Sequence, residues 1–193
     1  MEEKDFYNHV RSGNPIIKYL VKTYFSNLNQ LILETNAKTV LDIGCGQGEI
    51  TNYISTLNGY DVTGIDISAE KINFCSKTYN FKAITGNGYS LPFENNSFDL
   101  VIATEVLEHQ EHPHLFLDEA KRVMKKQSIF SVPNEPYFRL GNFIRGKYIS
   151  DFGNSPGHLQ NWTSSQFEKL LKQHFSSVHL KKGNVWNIAL CEK

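Results

Sequence analysis

The chain has no excess of charge of either sign: 20 Lys plus Arg balance 20 Asp plus Glu over 193 residues. It therefore lacks the long-range field with which a sequence-blind nucleic-acid binder gathers a polyanion, although a local basic patch stays open. No apolar run approaches the length of a membrane span. The first residues, Met1-Glu2-Glu3-Lys4-Asp5, are charged and lack the apolar h-region of a secretion signal. The three cysteines, Cys45, Cys75 and Cys191, show no paired spacing. They read as free thiols in a reducing cytoplasm rather than as a disulfide framework. There is no internal repeat and no low-complexity tract. A chain of this length implies one domain with a sizeable core.

What is present is concentrated in Val40-Leu41-Asp42-Ile43-Gly44-Cys45-Gly46-Gln47-Gly48. A buried-strand pattern runs into glycines at alternate positions, and a helix with Ile50, Tyr53, Ile54 and Leu57 on one face follows. Strand, glycine turn and helix N-terminus together make a cofactor cradle. A dinucleotide fingerprint is Gly-x-Gly-x-x-Gly, whereas here Glu49 stands where its third glycine belongs. Asp42 also repels a pyrophosphate, which counts against a nicotinamide-dependent oxidoreductase. An acid suits a ligand carrying an ammonium group. S-adenosylmethionine has one, with a sulfonium charge as well. The segment resembles motif I of the class I S-adenosylmethionine-dependent methyltransferases.

Further elements carry the same resemblance over residues 38–124. Asp61-Val62-Thr63-Gly64-Ile65-Asp66 reads as a second strand ending in an acid, about twenty residues past the glycines. Asp66 is placed to accept hydrogen bonds from ribose hydroxyls, because Ser68 is available to cap the next helix. In Gly86-Asn87-Gly88, Asn87 replaces the acid that in the family takes the adenine amino group. Its amide oxygen accepts the same bond without charge assistance. Phe98-Asp99-Leu100-Val101 resembles the family's entry to its fourth strand. Glu105-Val106-Leu107-Glu108-His109 and then Pro113 resemble the branch that includes the ubiquinone-biosynthesis O-methyltransferases. The resemblance assigns the cofactor to Asp42, Gly44, Cys45 through its backbone, Gly46, Gln47, Gly48, Asp66, Ile67, Asn87, Gly88, Thr104 and Glu105. S-adenosylhomocysteine is the implied product.

Strands alternate with helices along the chain. A helix opens at Asn14-Pro15 with Ile17, Leu20, Val21, Tyr24, Leu28 and Leu31 on one face. Strands are expected at 39–43, 61–65, 82–85, 100–104 and 128–132, and helices from Ser68 and from Pro113. The helix from Pro113 is expected to carry Phe116, Ala120, Val123 and Met124. The family's Lys-Pro-Gly-Gly turn before strand five is replaced by Lys125-Lys126-Gln127, so that turn is shorter or built differently. Thr163 and Gln166 form a capping box. Residues 176–180 and 185–191 read as a final antiparallel pair. The expected fold is Rossmann-like: a doubly wound seven-stranded sheet, mostly parallel with an antiparallel last strand, and helices on both faces. Four regions are expected within the one domain: an N-terminal helical part (1–37), a cofactor core (38–132), a lid insertion (133–162) and a C-terminal helix and hairpin (163–193). Residues 1–13 are either mobile or folded over the cofactor.

The 133–162 stretch mixes turn formers such as Gly141, Asn142 and Gly153 with aromatics such as Tyr137, Phe138 and Trp162. It follows strand five, so a lid over the acceptor side is expected. Arg139, Arg145 and Lys147 are candidates to hold an anionic part of the acceptor, solvated charge being the plainer account. Methyl transfer needs in-line positioning and, for an oxygen acceptor, a proton acceptor. The candidates are Glu105, Glu108, His109 and His158. The two glutamates also suit a helix start, where they complement its dipole. Glu105, Glu108, His109 and a distant histidine form a metal-capable set, similar to that of RNA 2′-O-methyltransferases acting on small-RNA ends. Cofactor binding is nonetheless expected to need no metal. The leading expectation is methyl transfer to a small-molecule oxygen, nitrogen or carbon by a monomer or homodimer. The alternatives are a metal-assisted RNA 2′-O-methyltransferase and a protein that binds S-adenosylmethionine without transferring methyl.

Overall fold

The computed structural model describes residues 14–57, 59–144, 152, 154–155, 157–183 and 185–193. Helix α1 (Pro15–Glu34) starts where Asn14 Oδ1 accepts from the Ile16 and Ile17 amides at 2.9 and 3.4 Å. Then follow β1 (Thr39–Ile43), α2 (Glu49–Thr56), β2 (Asp61–Asp66), α3 (Ala69–Thr78), β3 (Lys82–Thr85) and β4 (Phe98–Thr104). A 3-10 turn (Leu107–His109) leads to α4 (Pro113–Val123), β5 (Met124–Pro133), α5 (Tyr137–Ile144), α6 (Ser164–Leu171), β6 (Ser177–Lys182) and β7 (Trp186–Glu192).

The strands form one seven-stranded sheet in the order β3-β2-β1-β4-β5-β7-β6. β7 runs antiparallel to both β5 and β6, and the other pairings are parallel. The near-continuous apolar runs of β1 and β4 have a simple cause. Successive side chains of a strand point to opposite faces, and both faces here are covered. Val40, Leu100, Ile102 and Ile129 pack under α1 and α2, against Leu28, Leu31 and Ile54. Leu41, Val101, Ala103 and Phe130 pack on the other face, against Phe116, Leu117 and Phe167. Each fully buried Leu, Ile or Phe contributes roughly 1.5–3 kcal/mol relative to exposure, so the two clusters hold the sheet between its helix layers.

Most expected elements recur within a residue or two, including the Thr163/Gln166 capping box. Strand five is the main correction. It begins at Met124, not Ser128, and α4 passes into it with no intervening turn. Met124 is therefore a buried strand residue rather than part of the helix face. Strand four likewise starts at Phe98, with a register shift against β5 between Phe98 and Leu100. Gly141 and Asn142 lie inside α5 instead of in a turn. The expectation for residues 1–13 lies outside the described residues, as do Arg145, Lys147 and Gly153.

Sheet order reverses around β1, which is flanked by β2 and β4. Ligands of such sheets bind outside the carboxyl ends of the strands at that reversal. The loops after β1, β2, β3 and β4 meet there.

Candidate functional site

A cavity of about 340 Å³ opens at this reversal, lined by residues that include Gly44, Gly46, Asp66, Asn87, Glu105 and His109. The loop after β1 doubles back with positive φ at Gly44, Gly46 and Gly48. At Gly44 (φ 75°) an added Cβ would lie 2.6 Å from Val106 Cγ2. At Gly48 (φ 82°) it would lie 2.6 Å from Phe81 Cζ. Both positions thus exclude side chains by conformation and by space.

Asp66 holds this loop. One carboxylate oxygen accepts the Gly46 amide at 3.0 Å, and the other accepts the Ser68 amide at 2.9 Å. Ser68 caps α3 by accepting from the Lys71 amide, as expected, and each Asp66 oxygen keeps a second acceptor direction. Asn87 Oδ1 accepts the Tyr89 amide at 2.9 Å and likewise has one direction left.

The structure brings Gly44, Gly46, Asp66, Ile67, Asn87, Gly88, Glu105 and His109 to the cavity wall. Asp42, Cys45, Gln47, Gly48 and Thr104 are not among its walls. Asp42 is buried and accepts the Thr51 hydroxyl at 2.6 Å. Burial pushes its carboxyl up to about 6, against the lowering by Thr51. None of the three cysteines is in a disulfide, and burial pushes the Cys45 thiol far up, which suits a backbone role and no nucleophilic one. Lys71, Tyr89, Val106, Gln110 and Phe116 also line the cavity. Sequence gave no signal for Lys71 or Phe116, which sit in ordinary amphipathic helices. Tyr89 directly follows Gly88 and was legible as part of that loop.

Glu105 adopts φ 56°, the left-handed region. A non-glycine residue there costs on the order of 1–3 kcal/mol, and such strain gathers at functional positions. It is held by a buried chain: the Tyr24 hydroxyl lies 3.0 Å from Ser131 Oγ, which donates to Glu105 Oε1 at 2.9 Å. Burial pushes the Glu105 carboxyl up to about 7.

Beyond Glu105, Glu108, His109 and His158 each offer a ligand atom within 4.8 Å of the others. The Glu108 carbonyl accepts the Leu159 and Gln160 amides at 2.8 and 3.0 Å, which docks the distant His158 segment. His109 Nδ1 lies 2.9 Å from the Gly157 carbonyl, so it carries the proton and leaves Nε2 an acceptor, 4.0 Å from Glu108 Oε1. The His158 ring stands 5.0 Å from that of His109 and is stacked on Phe138. Neither Glu108 oxygen nor either His158 nitrogen has a hydrogen-bond partner among the described residues. Burial raises Glu108 well above the carboxylate range, with Glu105 adding to the rise. Burial lowers His109 to about 4 and His158 to about 3, so both rings are neutral at pH 7.

These shifts carry a sign that can be tested at Asp42. A carboxyl raised in the folded state loses its proton earlier in the unfolded chain, so its contribution to stability falls as pH rises from about 4 to about 6. The neutral histidines act oppositely in the same range, so total stability is not diagnostic. The difference between wild type and Asp42→Asn is. The variant is expected to gain relative stability between pH 4 and 7, by on the order of 2–3 kcal/mol. Denaturant titrations across that range check it, and a pH-independent difference would refute it.

The residues present fit the cofactor that the sequence suggests. The glycine loop leaves no room for side chains of its own, and Asp66 and Asn87 retain acceptors along one nucleoside-sized cavity. Comparison with known proteins agrees. Residues 41–132 match the family model described as a methyltransferase domain. The fatty-acid O-methyltransferase of Mycolicibacterium smegmatis is 31% identical over 58% of this chain and 42% of its own length. The mitochondrial ubiquinone biosynthesis O-methyltransferase of Dictyostelium discoideum is 28% identical over 93% of this chain and 64% of its own. The chain thus spans less than two thirds of either relative. Magnesium protoporphyrin IX methyltransferase from Synechocystis PCC 6803, solved with bound SAH, shares the fold with a TM-score of 0.69 at 18% identity, covering 97% of this chain and 92% of its own. With its glycine cradle, its strand order and a methyltransferase domain over residues 41–132, the chain belongs to the class I S-adenosylmethionine-dependent methyltransferases.

Proposed function

We propose that this protein transfers a methyl group from S-adenosyl-L-methionine to an oxygen, nitrogen or carbon of a small-molecule acceptor. One observation carries the reading: the nucleoside-sized cradle adjoins the buried, neutral His158 ring, whose nitrogens have no hydrogen-bond partner among the described residues. When bound, the cofactor supplies an electrophilic methyl. The chain's own residues do the rest. The Gly44–Gly46 backbone and Asp66 hold the nucleoside, Asn87 takes the base edge, and Glu105 borders the amino-acid end. His158, or His109 through Nε2, accepts the acceptor's proton, while the Glu108 carbonyl holds the His158 segment beside His109. Residues 133–162 form the acceptor-side lid of a single domain: Asn134 ties its start to the Gly183 carbonyl, and the Glu108 carbonyl ties its end. Arg139 bonds within that segment, to Glu135 Oε2 through its amide and to the Phe152 carbonyl through Nε, which favours a structural role over holding an anion.

The relatives are named for acceptors with apolar bodies, a fatty acid and a ubiquinone precursor. We extend this to a small amphipathic acceptor here. No helix among the described residues is long and apolar enough to cross a membrane, and cysteines outside any disulfide favour a cytoplasmic setting. The test is transfer of labelled methyl from the cofactor to a panel of acceptors. Cofactor binding with no transfer to any class would favour a non-catalytic binding protein.

A second reading has a specific observation behind it. The Glu108, His109 and His158 ligand atoms converge within 4.8 Å, and the Gly157 carbonyl accepts from His109 Nδ1, as carbonyls behind metal-bound histidines do to orient the ring. A divalent ion held there would polarise an acceptor hydroxyl, as metal-assisted RNA 2′-O-methylation requires. The first reading expects chelator treatment to leave both cofactor binding and turnover intact. Loss of turnover, restored by added magnesium or manganese, would establish the metal reading instead.

A further inference from the structure

A second cavity, of about 230 Å³, lies between α1, α5 and the start of β7. Its walls include Ile17, Leu20, Phe138, Gly141, Val185 and Trp186, and among the described residues that line it none is an acid, a lysine, an arginine or a histidine. Its two amides are engaged elsewhere: Asn14 caps α1, and Asn142 Nδ2 donates to Ser155 Oγ at 3.4 Å. Such walls reject charge and reward apolar contact. The mouth is apolar too, since Ile16 and Tyr137 line the cavity yet are 68% and 61% exposed.

Two wall residues touch side chains of the candidate site. Phe138 stacks on His158, with ring centroids 5.7 Å apart and planes at 25°. Trp186 neighbours the Glu105 carboxyl and packs on Tyr24 at 5.4 Å. These two side chains thus stand between the apolar cavity and the His158 and Glu105 side chains. Gly141 is also informative. A Cβ added there meets nothing within 4 Å, so glycine is not demanded by packing of the fold, and its absent side chain is part of the open space.

We propose that this cavity holds the hydrocarbon tail of the acceptor, with the acceptor's polar head directed past Phe138 to His158 and Glu108. The head-group half rests on the methyl-transfer reading; the tail site does not. Affinity for an apolar chain then rises with each methylene buried, about fourfold per CH₂, until the cavity is filled.

The experiment uses straight-chain alkanoates of increasing length and a bromine-labelled dodecanoate. The chain has only two tryptophans, so Trp162→Phe leaves Trp186, in the cavity wall, as the reporter. The expected result is saturable quenching of Trp186 by the brominated chain. Gly141→Leu, which fills the cavity, is expected to weaken it at least tenfold, and Gly141→Ala to leave it within threefold. If Trp162→Phe fails to fold, calorimetry of the alkanoate series with otherwise wild-type and Gly141→Leu protein reads the same comparison. Quenching that does not saturate, or that Gly141→Leu leaves unchanged, overturns the tail site. So does quenching that emerges only after residues 1–13 are removed, since the chain itself would then fill the cavity. S-adenosylhomocysteine titrated into the same variants separates the two readings. Its failure to bind overturns the methyltransferase reading and spares the tail site, while its binding without quenching does the reverse.

Discussion

Replacing His158 with alanine is expected to lower methyl-transfer turnover by roughly two to four orders of magnitude, the usual worth of a positioned proton acceptor. Affinity for S-adenosylhomocysteine is expected to stay within about threefold of wild type. The ring is buried and neutral, and neither nitrogen has a partner among the described residues. A buried polar group left without a bond costs stability, so this arrangement is explained if a ligand completes it. The ring does not line the cofactor cavity, which is why binding and turnover separate. The measurement is single-turnover transfer to the best acceptor, paired with calorimetry. Turnover within tenfold of wild type would mean that proximity alone drives transfer and that His158 is packing for Phe138. His109→Ala is expected to mimic the loss less severely, because its Nδ1 also anchors the Gly157 carbonyl and part of its effect is structural.

Asp66→Ala acts on the other half of the site. The carboxylate joins the Gly46 amide of the β1 loop to the Ser68 amide at the start of α3. It also offers acceptors for ribose hydroxyls. Losing charge-assisted hydrogen bonds of this kind costs about 1–3 kcal/mol, so cofactor affinity is expected to fall roughly 5- to 150-fold. Turnover at saturating cofactor is expected to fall much less, since the proton-accepting residues are untouched. Asp66→Asn separates the two contributions, because its amide oxygen still accepts one bond while the charge is gone. Calorimetry with S-adenosylhomocysteine and with NAD checks both points. Unchanged affinity in Asp66→Ala, or tight NAD binding by the wild type, would defeat the assignment of the cavity.

The strand positions and the cofactor cradle were legible in the chain itself. Gly44, Gly46 and Gly48 after an apolar run announce a tight turn, and Asp66 closes an equally plain second strand. These signals are local: a backbone that must turn, a carboxylate at a strand end, a cap at Ser68. Alternation of strands and helices then leaves few topologies open. Other features were beyond reach because they arise between segments distant in sequence. Lys125-Lys126-Gln127 shows that a familiar turn is missing, but only pairing with β4 and β7 shows that the strand simply starts earlier, at Met124. Tyr24, Ser131 and Glu105 have nothing in common as sequence, yet three elements align them into one hydrogen-bonded chain. His158 stood in a stretch without periodicity. Its approach to His109 and Glu108 follows from backbone bonds to the Glu108 carbonyl, and such bonds leave no side-chain pattern to read. The sequence by itself determined the alternating strands and helices and the cofactor loop, because propensity and burial periodicity are written residue by residue. Only the tertiary structure decided that Glu108, His109 and His158 gather beside one another, because that depends on how the Leu159 and Gln160 amides dock on the Glu108 carbonyl.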